Sequence, residues 1–97
     1  MSLHYLSYQS VALQPFSDEA LQDLLAKARV YNIAHQVSGM LLYRDGQFVQ
    51  VLEGEEDVLR ELYTKIQRDP RHTNVVTLVD EPLPQRKFSA WSMAYRH

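Results

Sequence analysis

The sequence contains no cysteine, which excludes disulfides, thiol nucleophiles and cysteine-ligated metals. Its three glycines form no glycine-rich phosphate-binding loop. Twelve acidic and ten basic side chains give a net charge of −2, which disfavours binding to nucleic acid or to anionic membranes. No apolar run approaches transmembrane length, and the first residues do not resemble a signal peptide. These absences predict one cytoplasmic globular domain over residues 1–97.

Residues typical of catalytic and metal centres are present but scattered. The four histidines lack the short spacings of a metal site. The serines lie outside any nucleophile-elbow context. We therefore expect no metal site, no catalytic residue and no enzyme activity of the domain itself.

Hydrophobic periodicity predicts five strands and two helices. Ser17 is a suitable N-cap for the first helix, Glu55 begins the second, and Pro70 stops it. The strands are expected at residues 3–10, 37–43, 47–52, 74–79 and 88–95. The order βαββαββ predicts an α+β ferredoxin-like sandwich, with both helices on one face of a five-stranded mixed sheet.

The turn Asp45-Gly46 fixes the register of the second and third strands. If these residues close a hairpin, Leu41 lies opposite Gln50 on one face of the sheet. The other face of the hairpin is then apolar and carries Met40, Leu42, Val49 and Val51.

Gln50 is the most informative residue of this pattern, because alternation places it between Phe48 and Leu52 on the face expected to be core. A buried primary amide without hydrogen-bond partners costs a few kcal/mol. Gln50 must therefore contact either a bound polar ligand or a neighbouring hydroxyl such as that of Tyr8, and the pattern leaves both explanations open.

Other polar residues follow apolar stripes toward the same region. Asn32 continues the stripe of the first helix and Asp69 that of the second. Lys65, four residues before Asp69, can bring its cation near that carboxylate. With Gln50 and Tyr8, these groups suit a slot for a flat heterocycle. Each also has a simpler interpretation: Asn32 as a helix C-cap, Asp69 as a turn residue and Tyr8 as an ordinary half-buried strand tyrosine.

Several blocks of the sequence, with their spacing, resemble the BLUF domains, which are blue-light sensors that use FAD. The match covers essentially the whole chain. The blocks are residues 5–10, 31–32, 38–43, 48–54, 69–72 and 86–93.

The resemblance implies a photoactive set of residues. Tyr8 would be the light-driven electron and proton donor, and Gln50 would bridge this tyrosine and the flavin N5/O4 edge. Trp91 and Met93 would lie on the fifth strand, which carries the signal.

The resemblance also implies a flavin-binding set. The ring would lie between the two helices, with Asn32 and Asp69 holding its pyrimidine part and Tyr31 and Lys65 flanking or bonding it. The helix residues expected to contact the ring are Leu24, Leu25 and Ile66.

We therefore expect a photoreceptor domain that binds FAD, with FMN or riboflavin as possible substitutes, and that signals to an unidentified protein. BLUF domains commonly cover the second sheet face with helices after the fifth strand, whereas this chain ends at His97. An exposed apolar face predicts a homo-oligomer through that face, unless the chain is a segment of a longer protein. The alternatives are a flavin-free interaction domain and a small flavin oxidoreductase.

Overall fold

A mixed five-stranded sheet forms the centre of the fold, with strand order β4-β1-β3-β2-β5. The computed structural model describes residues 2–88 and 92–96. β5 is parallel to β2, and the other neighbouring strands are antiparallel. The elements are β1 (Leu3–Ala12), α1 (Asp18–His35), β2 (Ser38–Arg44), β3 (Gln47–Glu55), α2 (Glu56–Gln67), β4 (His72–Pro82) and β5 (Ala94–Arg96). The predicted α+β architecture and element order are confirmed.

The β2–β3 hairpin has the predicted turn and register. Asp45 and Gly46 have φ angles of 52° and 77°, as a turn with two positive-φ residues requires. Leu41 lies opposite Gln50, as expected from the closed two-residue turn.

The two helices begin and end for local reasons. The Ser17 hydroxyl accepts a hydrogen bond from the Ala20 N–H at 3.1 Å and caps α1. Gln36, with a φ of 57°, ends this helix. Glu55 still belongs to β3 and is the N-cap of α2, so the second helix starts one residue later than predicted.

The face of the sheet that contacts the helices forms the core, which we call the inner face. Leu6 and Leu52 on the sheet, Leu25 on α1 and Leu59 on α2 are at most 1% exposed. Burying such side chains stabilises the fold by about 1.5–3 kcal/mol each. The inner face also carries Tyr8 and Gln50, so the predicted inward orientation of both is confirmed.

The outer face of the sheet, opposite the helices, carries several apolar side chains, some of which are exposed in the part of the chain that the structure describes. Val51 is buried, whereas Val76 and Leu78 of β4 are each 48% exposed. β1 lies between the hairpin and β4 and carries Ser7 and Gln9 on this face, so the exposed apolar residues of β4 form a separate patch. Neither helix in the described ranges is long and apolar enough to cross a membrane.

The fifth strand is present as predicted, but its start was predicted wrongly. A strand over residues 88–95 was expected, but in the described part of the chain it begins at Ala94. The N–H groups of Lys87 and Phe88 donate to the Glu53 carboxylate and are therefore not available to a strand ladder. Met93 precedes the strand, and Trp91 lies outside the described residues.

A polar cluster joins α2 to β1 and β4. The buried His4 ring contacts the Asp80 carboxylate at 2.5 Å, and Arg60 of α2 donates to both Asp80 oxygens at 2.5 and 3.0 Å. Arg60 also pairs with Glu56 at 3.0 Å. The hydrogen bonds from Arg60, and then from His4, lower the pKa of Asp80 from 3.8 to about 2.

We predict that Asp80→Asn lowers the free energy of unfolding by about 1 kcal/mol at neutral pH, because the charge-assisted bonds weaken. A carboxylate with a lowered pKa stabilises the fold above its ordinary pKa, and this stability is lost as pH falls from 3.8 toward 2. The variant should therefore lose less stability over that range. Urea unfolding of both proteins at neutral and acidic pH measures the difference.

Asp23→Asn is the matched control, because Asp23 pairs with Lys27 on an exposed helix surface. This control should lower stability less at neutral pH and keep the acid sensitivity of the parent. Equal acid sensitivity in the parent and Asp80→Asn would contradict the assigned role.

Candidate functional site

A cleft of about 220 Å³ lies between α1, α2 and the inner face. Its walls are mainly apolar, and its polar groups come from the C-terminal ends of both helices and from the sheet. The lining residues are Tyr8, Phe16, Leu24, Leu25, Ala28, Tyr31, Asn32, Leu41, Phe48, Gln50, Leu62, Lys65, Ile66, Asp69, Arg71, His72 and Met93. Every described residue of the predicted flavin-binding and photoactive sets therefore lies around one cavity.

The two helices supply the apolar walls of the cleft. Leu24 and Leu25 come from α1, and Leu62 and Ile66 come from α2. Two aliphatic walls facing each other suit a flat ring whose polar rim is satisfied elsewhere.

Gln50 joins Tyr8 to Met93 at the sheet side of the cleft. The Tyr8 hydroxyl donates a hydrogen bond to Gln50 Oε1, and Gln50 Nε2 donates to the Met93 sulfur at 3.7 Å. The buried amide thus has the hydroxyl partner that the sequence offered, and it also lines the cavity. The two explanations left open for Gln50, a neighbouring hydroxyl and a bound polar ligand, are therefore compatible.

Tyr8 is held as a neutral phenol. Burial raises the pKa of Tyr8, and the negative charges that Tyr63 and Asp69 can carry raise it further. The Tyr63 ring lies beside it, with centroids 5.4 Å apart. The phenol of Tyr8 therefore keeps its proton at neutral pH.

Asn32 lies on the helix side of the cleft and is 2% exposed. Its Nδ2 group donates to the Ser92 carbonyl at 2.7 Å, and Arg29, one turn earlier, donates to the Met93 carbonyl at 3.1 Å. The residue that ends α1 is Gln36, so the C-cap interpretation of Asn32 is wrong. Asn32 instead connects α1 to the segment that carries Met93.

The expected contact between Lys65 and Asp69 is replaced by another pair. Arg71 donates to both Asp69 oxygens, with its Nε at 2.9 and 3.1 Å, and this contact lowers the pKa of Asp69. Lys65 instead lies over the Tyr31 ring, 5.3 Å from its centroid. Arg71 is two residues from Asp69 beyond the helix end, so it reaches the carboxylate by a local turn.

Sequence reasoning missed Arg71 and His72 as lining residues. His72 Nε2 donates to the Ile66 carbonyl at 2.6 Å, while its Nδ1 accepts from Ser10 at 2.7 Å in the matching tautomer. Their position directly after Asp69, with His72 as the first residue of β4, was the feature of the sequence that could have identified them.

The comparisons with known proteins agree with this geometry. The family model described as sensors of blue-light using FAD matches residues 3–94. The photoactivated adenylate cyclase subunit beta of Euglena longa is 41% identical over 93 residues, which is 95% of this chain and 11% of that protein.

Solved structures show the same fold. A bacterial light-regulated adenylyl cyclase matches with a TM-score of 0.94 and 35% identity, over 97% of this chain and 28% of that one. Klebsiella pneumoniae BlrP1, solved with FMN and cyclic diGMP, matches with a TM-score of 0.89 and 36% identity, over 97% of this chain and 25% of that one. With the family match spanning nearly all of its residues, the chain belongs to the BLUF family of blue-light sensors that use FAD.

Proposed function

We propose that the cleft holds the isoalloxazine ring of FAD and that Tyr8, Gln50 and Met93 form the light-driven switch of this sensor domain. The hydrogen-bonded chain from Tyr8 through Gln50 to Met93, on the wall of a cavity between two helices, is the observation that supports this function. The aliphatic walls fit the faces of the ring. Asn32, Asp69 and Arg71 fit its polar rim.

Bound flavin supplies blue-light absorption and, once excited, a strong one-electron oxidant. Tyr8 is the nearest hydroxyl partner of Gln50 in the cleft, and we assign it as the electron donor. Loss of an electron makes the phenol strongly acidic, so its proton moves along the existing hydrogen bond to Gln50 Oε1. Gln50 could carry a proton between Tyr8 and a bound flavin because an amide has an acceptor and a donor end, and a proton would return to Tyr8 together with the electron.

The changed state of Gln50 is the stored signal. In the present arrangement its oxygen faces Tyr8 and its nitrogen faces the Met93 sulfur. Rotation or tautomerisation of the amide would reverse this donor and acceptor pattern once the electron returns. Rotation would turn the amide oxygen toward the Met93 sulfur and remove its donor, so the change would reach the segment that leads into β5.

We assign the domain a signalling role and no turnover of its own. The match to this chain covers only 11% of the Euglena longa cyclase subunit, which is consistent with a sensor domain that acts on a separate effector. For this chain the effector is an unidentified downstream protein. Location in the cytoplasm stays a prediction from the composition.

The photoresponse is the direct test. We expect flavin-loaded protein to be yellow and to show a small red shift of its absorption under blue light that reverses in the dark. Gln50→Leu should keep the bound flavin and lose the shift, because leucine cannot bridge Tyr8 and the ring. Tyr8→Phe should also lose the shift, because the phenolic donor is absent. Difference spectra per bound flavin measure both effects.

Leu62→Ile is the matched control, because it keeps an aliphatic wall of the cleft and leaves the switch intact. A normal red shift in Gln50→Leu would contradict the role of Gln50. Protein that takes up no flavin would favour the interaction-domain alternative, and lasting bleaching by a reduced nicotinamide cofactor, which can donate hydride, would favour the oxidoreductase.

We propose FAD as the resident flavin, although the contacts named above involve only the ring. FMN is recorded in BlrP1. We therefore expect FAD, FMN and riboflavin to bind within about tenfold of one another, a difference below about 1.4 kcal/mol. Flavin-fluorescence titration of the protein measures the three affinities.

Lys65→Met tests whether a cation at the cleft adds to the affinity of the flavins that carry phosphate. Lys65 is exposed at the cleft, and it pairs with no acidic side chain in the described ranges. Recognition through the ring alone would be contradicted if FAD and FMN bound more than a hundredfold more tightly than riboflavin and if Lys65→Met abolished this difference.

We also propose that the outer face mediates self-association. Val76 and Leu78 are half-exposed apolar residues on this face, and exposed apolar surfaces of this kind mark interfaces. We expect a dimer or higher oligomer in sedimentation experiments. The double variant Val76→Lys with Leu78→Lys should shift the protein toward monomer.

Val30→Lys with Ile33→Lys is the matched control, because it adds the same charge to exposed apolar positions on α1. This control should leave the oligomer unchanged. A monomeric parent protein, or equal dissociation by both double variants, would contradict an interface on the outer face.

A further inference from the structure

Glu53 is a fully buried carboxylate that the switch itself does not use. It lies on β3, three residues beyond Gln50, but its side chain is on the outer face and does not line the cleft. Its two oxygens accept hydrogen bonds from the Lys87 N–H at 2.7 Å, the Phe88 N–H at 2.9 Å and the Ser38 hydroxyl at 2.9 Å.

Arg86 extends these contacts. Its guanidinium donates to the Ser38 hydroxyl at 2.9 Å, to the Glu53 carbonyl at 3.3 Å and to the Gln36 carbonyl at 2.7 Å. We call this set of contacts, from Glu53, Ser38 and Arg86 to residues 86–88, the Glu53 anchor. It fixes the backbone of residues 86–88 to the start of β2 and the end of β3.

The other end of the same segment contacts the switch. The Ser92 carbonyl accepts from Asn32, the Met93 carbonyl accepts from Arg29, and the Met93 sulfur accepts from Gln50. Four Cα–Cα steps separate Phe88 from Ser92, so the two residues can lie at most about 14 Å apart. Fixing Phe88 therefore restricts where Met93 can lie relative to Gln50.

We propose that Glu53 is a positioning residue of the photoswitch: by holding residues 86–88 it keeps the Met93 sulfur against the Gln50 amide. This inference rests on the proposed function. The anchor gives the amide one preferred orientation in the dark, so that illumination has a defined state to change.

A carboxylate is suited to this task because it only accepts hydrogen bonds. Three donors converge on Glu53, and its two oxygens accept from all of them. Glutamine of the same size would direct an N–H group at one of these donors. The substitution therefore weakens the anchor without changing the volume of the core.

The experiment compares flavin-loaded parent protein with Glu53→Gln. We expect Glu53→Gln to bind flavin but to lose at least half of the light-minus-dark absorption change per bound flavin. The reason is that a loosened Met93 lets Gln50 sample both orientations in the dark. A purely structural role would lower the melting temperature and leave the change per bound flavin intact.

Glu55→Gln is the matched control, since Glu55 ends the same strand and contributes nothing to the Glu53 anchor. It should keep the full absorption change. An unchanged signal in Glu53→Gln beside a responsive parent would overturn the inference, whereas a parent without any red shift would overturn the proposed function.

Ser38→Ala keeps the test decisive if Glu53→Gln fails to fold or to load. It removes one donor to Glu53 and the hydroxyl acceptor of Arg86 while leaving the carboxylate in place. We expect a smaller loss in the same direction, by about one quarter or more. A full absorption change in Ser38→Ala would then overturn the role of the anchor.

Discussion

The hydrogen bonds of the buried Gln50 amide constrain the rest of this structure. An amide in the core requires partners at both ends, because an unsatisfied buried polar group costs about 1–3 kcal/mol. Tyr8 supplies the donor at the oxygen, and Met93 supplies the acceptor at the nitrogen. A hydroxyl from β1 and a thioether from the C-terminal segment are therefore held at one point of the sheet.

The inner and outer faces of the sheet contact different parts of the molecule. On the inner face, the cleft combines aliphatic walls with the switch residues. On the outer face, Glu53 holds residues 86–88, which lead toward Met93. Since β3 carries both Gln50 and Glu53 on opposite faces, one strand connects the proposed photochemical site with the segment that we propose reports its state.

Local patterns predicted the inner face well. The Asp45-Gly46 turn and period-2 alternation determined that Leu41 lies opposite Gln50, because a closed two-residue turn allows only one register. Helical spacing also placed Asn32 and Asp69 at the cleft. The fifth strand was misjudged because alternation cannot show that the Lys87 and Phe88 N–H groups bind a carboxylate more than thirty residues away.

The sequence by itself determined the element order, the faces of the strands, the convergence of polar residues and the family, since these depend on periodicity, turn chemistry and matched blocks of residues. Only the tertiary structure decided the partners of the charged groups. It pairs Asp69 with Arg71, leaves Lys65 over Tyr31 and directs two backbone N–H groups to Glu53. Such pairings depend on distances across the fold, and spacing along the chain does not specify these distances.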